Sequence, residues 1–424
     1  MFDFDYDGLE EAAVATEASA GALSSAFEAE VKAEPEANPT EAEEDEDDDW
    51  CPGEQAGADL ALDPVEVEAE SKLLKAAGAE SFEALGLQTR LEIADRRLTA
   101  LPHRVGELTS LQYVDISHNR LYALPGSFVG LSAMEELDAA SCQLGELPEG
   151  FERLISLKKL DLSYCPLAAL PEIFGQLPKL QVLSMDHSRL ASIPESFGQL
   201  RTLQELNLSH THIMSLPTGF AGLVELKVLQ LSRSPLAALP ENFGELVRLE
   251  TLDCSYTQLC RLPRSIGQLQ RLKHLDLHSS GMVALPESFG DLVALQRLDL
   301  CELTGTSLEL PASFGCLCSL QWLDLSHNPL RALPANFGDL LVLKRLDISR
   351  CPIEELPRDF GDLPALEDLN LSRTGLATLP LSFARLQSLR RLDLTSAHVA
   401  EVPGIVNVLM ENLPLCQVMC WRRG

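Results

Sequence analysis

Residue types that bind metal ions occur at two places in the chain. Neighbouring copies of a repeated segment supply one group, which folding could bring together: Asp186, His187, His210 and His212. Their spacing matches no pattern of zinc ligands, and exposed polar residues without a ligand are the favoured alternative. The motif Cys316-x-Cys318 alone is not a zinc motif either. We therefore predict no metal and no cofactor.

Motifs for catalysis are not found in the sequence. There is no glycine-rich phosphate loop after a strand, no nucleophile elbow and no HExxH motif. Cys142 and Cys165 occupy equivalent positions in adjacent repeats and could form a redox pair. Reduced thiols are the favoured alternative, because the eleven cysteines are scattered through a long chain. We predict a protein that is not an enzyme.

Charged residues flanking a tryptophan occupy equivalent positions in successive repeats. Carboxylates such as Asp324 and Asp347 lie between the two core leucines of a repeat. Two residues earlier, Trp322 lies between Arg297 and Arg345 of the adjacent repeats. Tryptophan and arginine are enriched at the centres of protein interfaces. The predicted partner-binding residues are Arg297, Trp322, Asp324, Arg345, Asp347, Arg350 and Arg373.

A purely structural role for these charges is the alternative. Carboxylates on adjacent strands, about 4.8 Å apart, repel each other by about 1 kcal/mol in water. The arginines could serve only to neutralise them within the sheet. A two-residue insertion within Glu302–Ser307 lies beside the same surface, and it is either part of a binding loop or a tolerated bulge that changes the curvature.

A 23-residue repeat must position all of these residues. Fourteen prolines, each preceded by an aliphatic residue, run from Pro102 to Pro403, and every interval is 23 residues except the 25 between Pro286 and Pro311. Leucines at alternating positions predict a short strand, and the LPxxFGxL segment returns the chain across the other side. The pattern predicts an α/β repeat solenoid in which the stacked strands form one long parallel β-sheet.

Composition divides the chain into four regions. We predict an acidic disordered tail over residues 1–70, an N-terminal helical cap over 71–90, a repeat domain over 91–404 and a C-terminal cap over 405–424. The tail is poor in apolar residues. The cap helix, from Ser71 in a capping position to Leu85, would cover the open end of the solenoid.

The net charge of −31 is concentrated at the amino-terminal end. Residues 1–80 contain 25 acidic residues against three lysines, which gives −22. Such a charge argues against binding to nucleic acid or to an anionic membrane surface. No basic signal peptide and no apolar run long enough to span a membrane are found, so we expect a cytoplasmic protein, with the nucleus as the alternative.

The pattern LxxLxLxxNxLxxLPxxFGxL, repeated about 14 times over residues 91–415, resembles the Ras-group, Shoc2-like leucine-rich-repeat proteins. The order of Leu272–Gly290 and the longer Leu300–Gly315 is similar to that in the plant intracellular Ras-group-related subgroup. The resemblance implies a curved leucine-rich-repeat horseshoe with a parallel β-sheet on its concave face and irregular or 3-10 return segments on its convex face. It also implies a scaffold that binds a protein, for example a small GTPase or its regulator, through its concave face during intracellular signalling. A structural subunit of a larger assembly, such as a cytoskeletal complex, with the acidic tail as a regulatory or solubilising element, is the alternative.

Overall fold

One parallel β-sheet runs through the part of the chain that the structure, a computed structural model, describes: residues 63–398 and 416–420. Each strand pairs with the strand of the next repeat, so the order in the sheet is the order in the sequence. Equivalent residues lie opposite each other, as Leu298, Leu323 and Leu346 do. The strands are β1 Arg90–Glu92, β2 Tyr113–Asp115, β3 Glu136–Asp138, β4 Lys159–Asp161, β5 Val182–Ser184, β6 Glu205–Asn207, β7 Val228–Gln230, β8 Thr251–Asp253, β9 His274–Asp276, β10 Arg297–Asp299, β11 Trp322–Asp324, β12 Arg345–Asp347, β13 Asp368–Asn370, β14 Arg391–Asp393 and β15 Gln417–Met419.

Alternation along each strand decides which side chains form the core. Leu323 and Leu325 are fully buried, whereas Trp322 and Asp324 between and beside them reach the outer surface of the sheet. The same leucine positions are buried in successive repeats and form one continuous core. The predicted period-two pattern is therefore confirmed, and we call the outer surface of the strands the sheet face.

Short 3-10 helices form the return segments, as predicted. They span His103–Glu107, Gly126–Gly130, Phe151–Arg153, Phe174–Gln176, Glu195–Gln199, Thr218–Gly222, Phe243–Glu245, Arg264–Gln268, Glu287–Asp291, Ala312–Cys316, Phe337–Asp339, Phe360–Asp362 and Leu381–Arg385. Their phenylalanines are buried, and neighbouring rings stack with centroids 6.0–6.3 Å apart. A column of eleven phenylalanines therefore forms part of the core, not a ligand site.

The distance between neighbouring repeats differs between the two sides of the solenoid, and this difference explains the curvature of the solenoid. Parallel strands lie about 4.8 Å apart, whereas the phenylalanine rings on the return side are 6.0–6.3 Å apart. At the carboxyl ends of the strands, the rings of Tyr164, His187 and His210 are only 3.9–4.2 Å apart. Since the spacing widens from the sheet toward the return segments, the solenoid bends with the sheet on its inner, concave side.

The turns after the strands contain buried hydrogen-bonding groups. Asn119 accepts hydrogen bonds from the backbone N–H groups of Arg96 and Leu98 and donates to the carbonyls of Ile93 and Ile116. Where another residue replaces asparagine it makes fewer bonds, as Cys142 does with the carbonyl of Ile116 alone. Asparagine thus links adjacent repeats, and its substitutes supply only part of this link.

The amino-terminal helices differ from the prediction. Helix α1 spans Pro64–Ala77 and helix α2 spans Phe82–Gly86. Asp63 caps α1 by accepting a hydrogen bond from the backbone N–H of Val65, so the assignment of Ser71 as the cap is wrong. Asp followed by Pro favours a helix start because the proline occupies a position where no donor is needed. Residues 64–70 therefore belong to α1 and not to the predicted tail.

The rest of the predicted tail and most of the predicted carboxy-terminal cap lie outside the described residues. Of the cap, the structure describes residues 416–420, where β15 pairs with β14 and extends the sheet. Neither helix of the described part of the chain has the length and apolarity needed to span a bilayer.

Candidate partner-binding surface on the sheet face

Three of the predicted binding residues form one stacked row across strands β10 to β12. Arg297, Trp322 and Arg345 lie opposite one another in the sheet. The Arg297 guanidinium carbon lies 4.0 Å from the centre of the Trp322 ring, a cation–π contact. Trp322 is half-buried, whereas Arg297 and Arg345 are exposed, so the row presents one aromatic side chain between two cationic groups.

The row continues through a residue that sequence reasoning missed. Asp368 of β13 lies between Arg345 and Arg391. Its two carboxylate oxygens contact the Nε atoms of these arginines, at 3.1 Å from Arg345 and 3.7 Å from Arg391. Arginine does neutralise aspartate within the sheet, but the neutralised carboxylate is Asp368. The sequence did contain a signal for Asp368, because it lies two residues before Asn370, as Trp322 and Arg345 lie two residues before Asp324 and Asp347.

The adjacent column of carboxylates has a structural role of its own. Oδ1 of Asp324 accepts a hydrogen bond from the backbone N–H of Ser326 at 2.8 Å, and Asp347 accepts one from Ser349 at 2.8 Å. Every Asp and Asn of this column that the structure describes accepts the equivalent bond from two residues further on: Asp115, Asp138, Asp161, Asn207, Asp253, Asp276, Asp299, Asp324, Asp347, Asn370 and Asp393. A short side chain with an acceptor is therefore favoured where the strand ends and the turn begins.

Burial and like charge disturb the ionisation of this column near β11. Burial of Asp324, reinforced by the charges of Asp347 and Asp299, raises the pKa of its carboxyl to about 6 despite the opposing hydrogen bonds from Ser326. Burial and the charge of Asp276 likewise raise the pKa of Asp299. Asp347 also accepts a hydrogen bond from the Asn370 amide at 2.8 Å. The column is therefore most strongly perturbed beside Trp322.

A concavity of about 250 Å³ lies between the row that contains Trp322 and Arg345 and the carboxylate column that contains Asp324 and Asp347. Of the predicted residues, Trp322, Asp324, Arg345 and Asp347 line it, and Arg297 lies behind Trp322. The remaining lining residues are Leu323, Leu346, Asp368, Leu369, Asn370, Arg391, Asp393 and Met419. The structure thus brings five of the predicted residues together and adds Asp368, Arg391 and Met419.

The other two predicted residues lie apart from this concavity. Arg350 and Arg373 occupy the turns that follow β12 and β13, where the backbone is left-handed with φ of 56° at both. Both side chains are exposed, and in the described residues neither forms an ion pair. They form a cationic edge beside the concavity.

Two of the histidines considered as metal ligands, His187 and His210, form a separate stack with Tyr164. The Tyr164 and His187 rings stack at 4.2 Å, and His187 stacks on His210 at 3.9 Å. His187 Nδ1 also lies 2.8 Å from Asp186 Oδ2. The three rings cover one another's faces. This group is also not among the groups of described residues whose ligand atoms lie close enough together to hold a metal ion.

The cysteines of the described residues are all free. The Cys142 thiol donates to the carbonyl of Ile116 at 3.3 Å and the Cys165 thiol to that of Ala139 at 3.2 Å. Burial raises the pKa of Cys165 to about 11. Both thiols therefore have turn-bonding roles, and the structure offers no redox pair between them.

Comparison with known proteins confirms the repeat. A family model described as leucine-rich repeat region matches residues 218–308. A second model, described as leucine rich repeat, matches residues 89–144, 155–213 and 342–399. A third, described as Leucine Rich Repeat, matches residues 319–340. A comparison with curated proteins finds no match.

Several solved structures resemble the chain. A leucine-rich-repeat protein of Leptospira interrogans is 27% identical with a TM-score of 0.64, covering 80% of this chain and 97% of that one. TLR13 in complex with ssRNA13 is 26% identical (TM-score 0.68; 80% of this chain, 51% of that one), and the PEPR1–AtPEP1 complex is 25% identical (TM-score 0.64; 78% and 48%). The chain spans nearly all of the first protein and about half of the other two. Because repeat families match between residues 89 and 399 and the same unit recurs across the sheet, the chain is a leucine-rich-repeat protein.

Proposed function

We propose that this chain is a non-enzymatic scaffold that binds a protein partner through the concave sheet face between β10 and β15. The observation that carries the proposal is the concavity of about 250 Å³ lined by Trp322, Arg345, Asp368, Arg391 and Met419. Leucine-rich-repeat proteins generally act as scaffolds for protein interactions, which makes the sheet face the first surface to test.

The chemistry of the concavity favours a partner segment with both an apolar and an acidic group. Trp322 and Met419 supply apolar surface. The side chains of Arg345 and Arg391 are 63% and 68% exposed, and each contacts Asp368 through Nε. Since a guanidinium has five N–H donors, both retain donors for a carboxylate of the partner.

The class of partner follows from the repeat pattern. The resemblance to Ras-group repeats makes a small GTPase or one of its regulators the first partner to test in intracellular signalling. The carboxylate column beside the concavity disfavours a nucleic-acid ligand, because phosphates would be repelled there.

Proximity labelling in cells, followed by binding measurements with the purified partner, tests this proposal. We expect Trp322→Ala combined with Arg345→Ala to weaken binding at least tenfold, since these residue types dominate interface energies. Asp368 keeps its contact with Arg391 in this variant, so its carboxylate is not left without a cation.

Leu381→Ser provides the matched control, because Leu381 is 99% exposed on a return segment. Unchanged binding by the double variant would contradict the assignment of this surface. Recovery of the chain in a particle of fixed stoichiometry would instead indicate the alternative role of a structural subunit.

A further inference from the structure

Two adjacent repeats differ from the others in the type of residue found two positions after the carboxylate column. Two residues after that column, where β9 and β10 end, stand His278 and Cys301. The equivalent residues of the other repeats are Ala94, Ser117, Ala140, Ser163, Asp186, Ser209, Ser232, Ser255, Ser326, Ser349, Ser372 and Thr395. Imidazole and thiol, the two side chains that bind transition metals best, therefore occur at this position only in neighbouring repeats.

The structure brings these two side chains together with three carboxylates. Asp276, Asp299 and Asp324 lie opposite one another on β9, β10 and β11. Ligand atoms lie within 4.8 Å of one another in two groups, Asp276–His278–Asp299 and Asp299–Cys301–Asp324. Asp299 belongs to both groups, so the two groups lie side by side on the sheet and share one carboxylate.

Asp299 is the carboxylate that the two groups share. The residue is only 9% exposed. Its Oδ1 accepts a hydrogen bond from the backbone N–H of Cys301 at 3.1 Å, and the Cys301 thiol is hydrogen-bonded to the same carboxylate. Burial of this carboxylate beside two others is unfavourable unless a cation or a proton compensates its charge.

The surroundings supply little positive charge. In the described residues no lysine or arginine pairs with Asp276, Asp299 or Asp324. His278 is the one basic side chain in contact, with Nδ1 at 2.7 Å from Oδ1 of Asp276. Three carboxylates at strand spacing thus share one imidazole.

We propose that Asp276, His278, Asp299, Cys301 and Asp324 form a binding site for one divalent transition-metal ion of the zinc class. Zinc takes imidazole, thiolate and carboxylate together as ligands, whereas calcium and magnesium prefer oxygen ligands only. The Cys301 thiol releases its proton to solvent when it binds the ion. The ion links three strands that stand on both sides of the insertion in the 25-residue repeat, beside Trp322. The site stands independently of the partner-binding proposal.

Metal titrations of the full chain, treated with EDTA and dialysed, test this site. The probes are ZnCl₂, followed by calorimetry, and CoCl₂, whose thiolate complex absorbs in the near ultraviolet. The variants are His278→Ser and Cys301→Ser, which give these repeats the serine that most others have and so preserve the fold. Cys260→Ser is the matched control, since Cys260 is an exposed cysteine outside the cluster.

We expect one Zn²⁺ to bind per chain with an affinity at least tenfold higher than in either variant. The Co²⁺ thiolate band should be present in the natural chain and in Cys260→Ser and absent in Cys301→Ser. Equal Zn²⁺ affinity in the natural chain and in His278→Ser or Cys301→Ser, or a thiolate band that persists in Cys301→Ser, would overturn the proposal.

Discussion

The outward-facing aspartates of the strands have a structural role that depends on the hydrogen bond they accept and not on their charge. Asp324 shows the two effects at one residue, because its oxygen receives the Ser326 N–H while burial and its neighbours oppose its ionisation. Asparagine provides the same acceptor in two other repeats, where Asn207 and Asn370 bond to Ser209 and Ser372. The hydrogen bond and the charge can therefore be separated by one substitution.

We expect Asp324→Asn to stabilise the protein at neutral pH. The pKa of Asp324 is about 6 in the folded chain, above the value of about 3.9 for an unfolded aspartate. Ionisation therefore opposes folding by an amount that is absent below about pH 4 and complete above about pH 6. The variant should gain up to about 3 kcal/mol at pH 7.5 and little at pH 4.

Urea unfolding in EDTA, which keeps cations off the neighbouring carboxylates, measures this difference. The comparison at pH 4 is the internal control, since Asp324 is then neutral in the folded protein. A variant that is less stable than the natural chain at pH 7.5 would show that the carboxylate stabilises the fold.

At the scale of the element, the glycine that follows seven of the eleven column phenylalanines permits the close stacking of their return segments. A Cβ added to Gly198 would overlap the carbonyl oxygen of Gly219 in the next repeat. The same holds for Gly175 with Ser196 and for Gly361 with Ser382. Because the obstacle is backbone, the segments must separate to admit a side chain.

Gly198→Ala should therefore destabilise the protein by about 2 kcal/mol, within the range for overpacked cores. Gly126→Ala is the matched control, as it lies in an equivalent type of segment but has no atom within 4 Å of an added Cβ. The control should be neutral or more stable by up to about 1 kcal/mol, since alanine restricts the unfolded chain. Denaturant unfolding of both variants decides the matter, and equal stability of the two would refute the close-approach explanation.

The boundary of the first helix shows where local signals compete. Helical periodicity over residues 71–85 predicted a helix, but the pair Asp63–Pro64 set its start because it supplies both a cap and a residue without an N–H. A prediction from periodicity alone could not weigh this pair against Ser71.

For the whole molecule, the 23-residue period was sufficient to predict the fold. Stacked copies can bury their leucines only against the next copy, so strand order and register follow from the count. The pairing of charges was less accessible, because Arg345 can reach either Asp347 or Asp368 and only side-chain geometry selects Asp368. The cluster around Asp299 did leave a signal in the sequence, namely histidine and cysteine where most repeats have serine.

The charge of the amino-terminal segment leads to a prediction about the chain as a whole. Residues 1–62 contain 20 acidic residues and one lysine, a charge of −19. Arg350 and Arg373 form no ion pair among the described residues and border the surface around Trp322. We expect the segment to associate with this cationic edge and to shield Trp322 at low ionic strength.

A deletion that tests this association must end at residue 62. Asp63 caps α1, Glu66 accepts a hydrogen bond from the backbone N–H of His103 at 2.8 Å, and Glu70 pairs with Arg104 at 3.0 Å. Removal through residue 70 would take away these contacts together with the charge. The comparison is therefore between the full chain and residues 63–424.

Trp322 can report on the association once the other two tryptophans, Trp50 and Trp421, are replaced by phenylalanine. Acrylamide is a neutral quencher, so the charge of the segment does not itself affect its access. We expect weaker quenching of Trp322 in the full chain than in residues 63–424 at low salt, with the difference removed at about 0.5 M salt, where charges are screened beyond a few ångströms. A full chain whose Asp and Glu residues in 1–62 are changed to Asn and Gln should behave like the truncated chain. Equal quenching in the full and truncated chains at low salt would instead leave the acidic segment a role in solubility, because its charge would then act without contacting the sheet face.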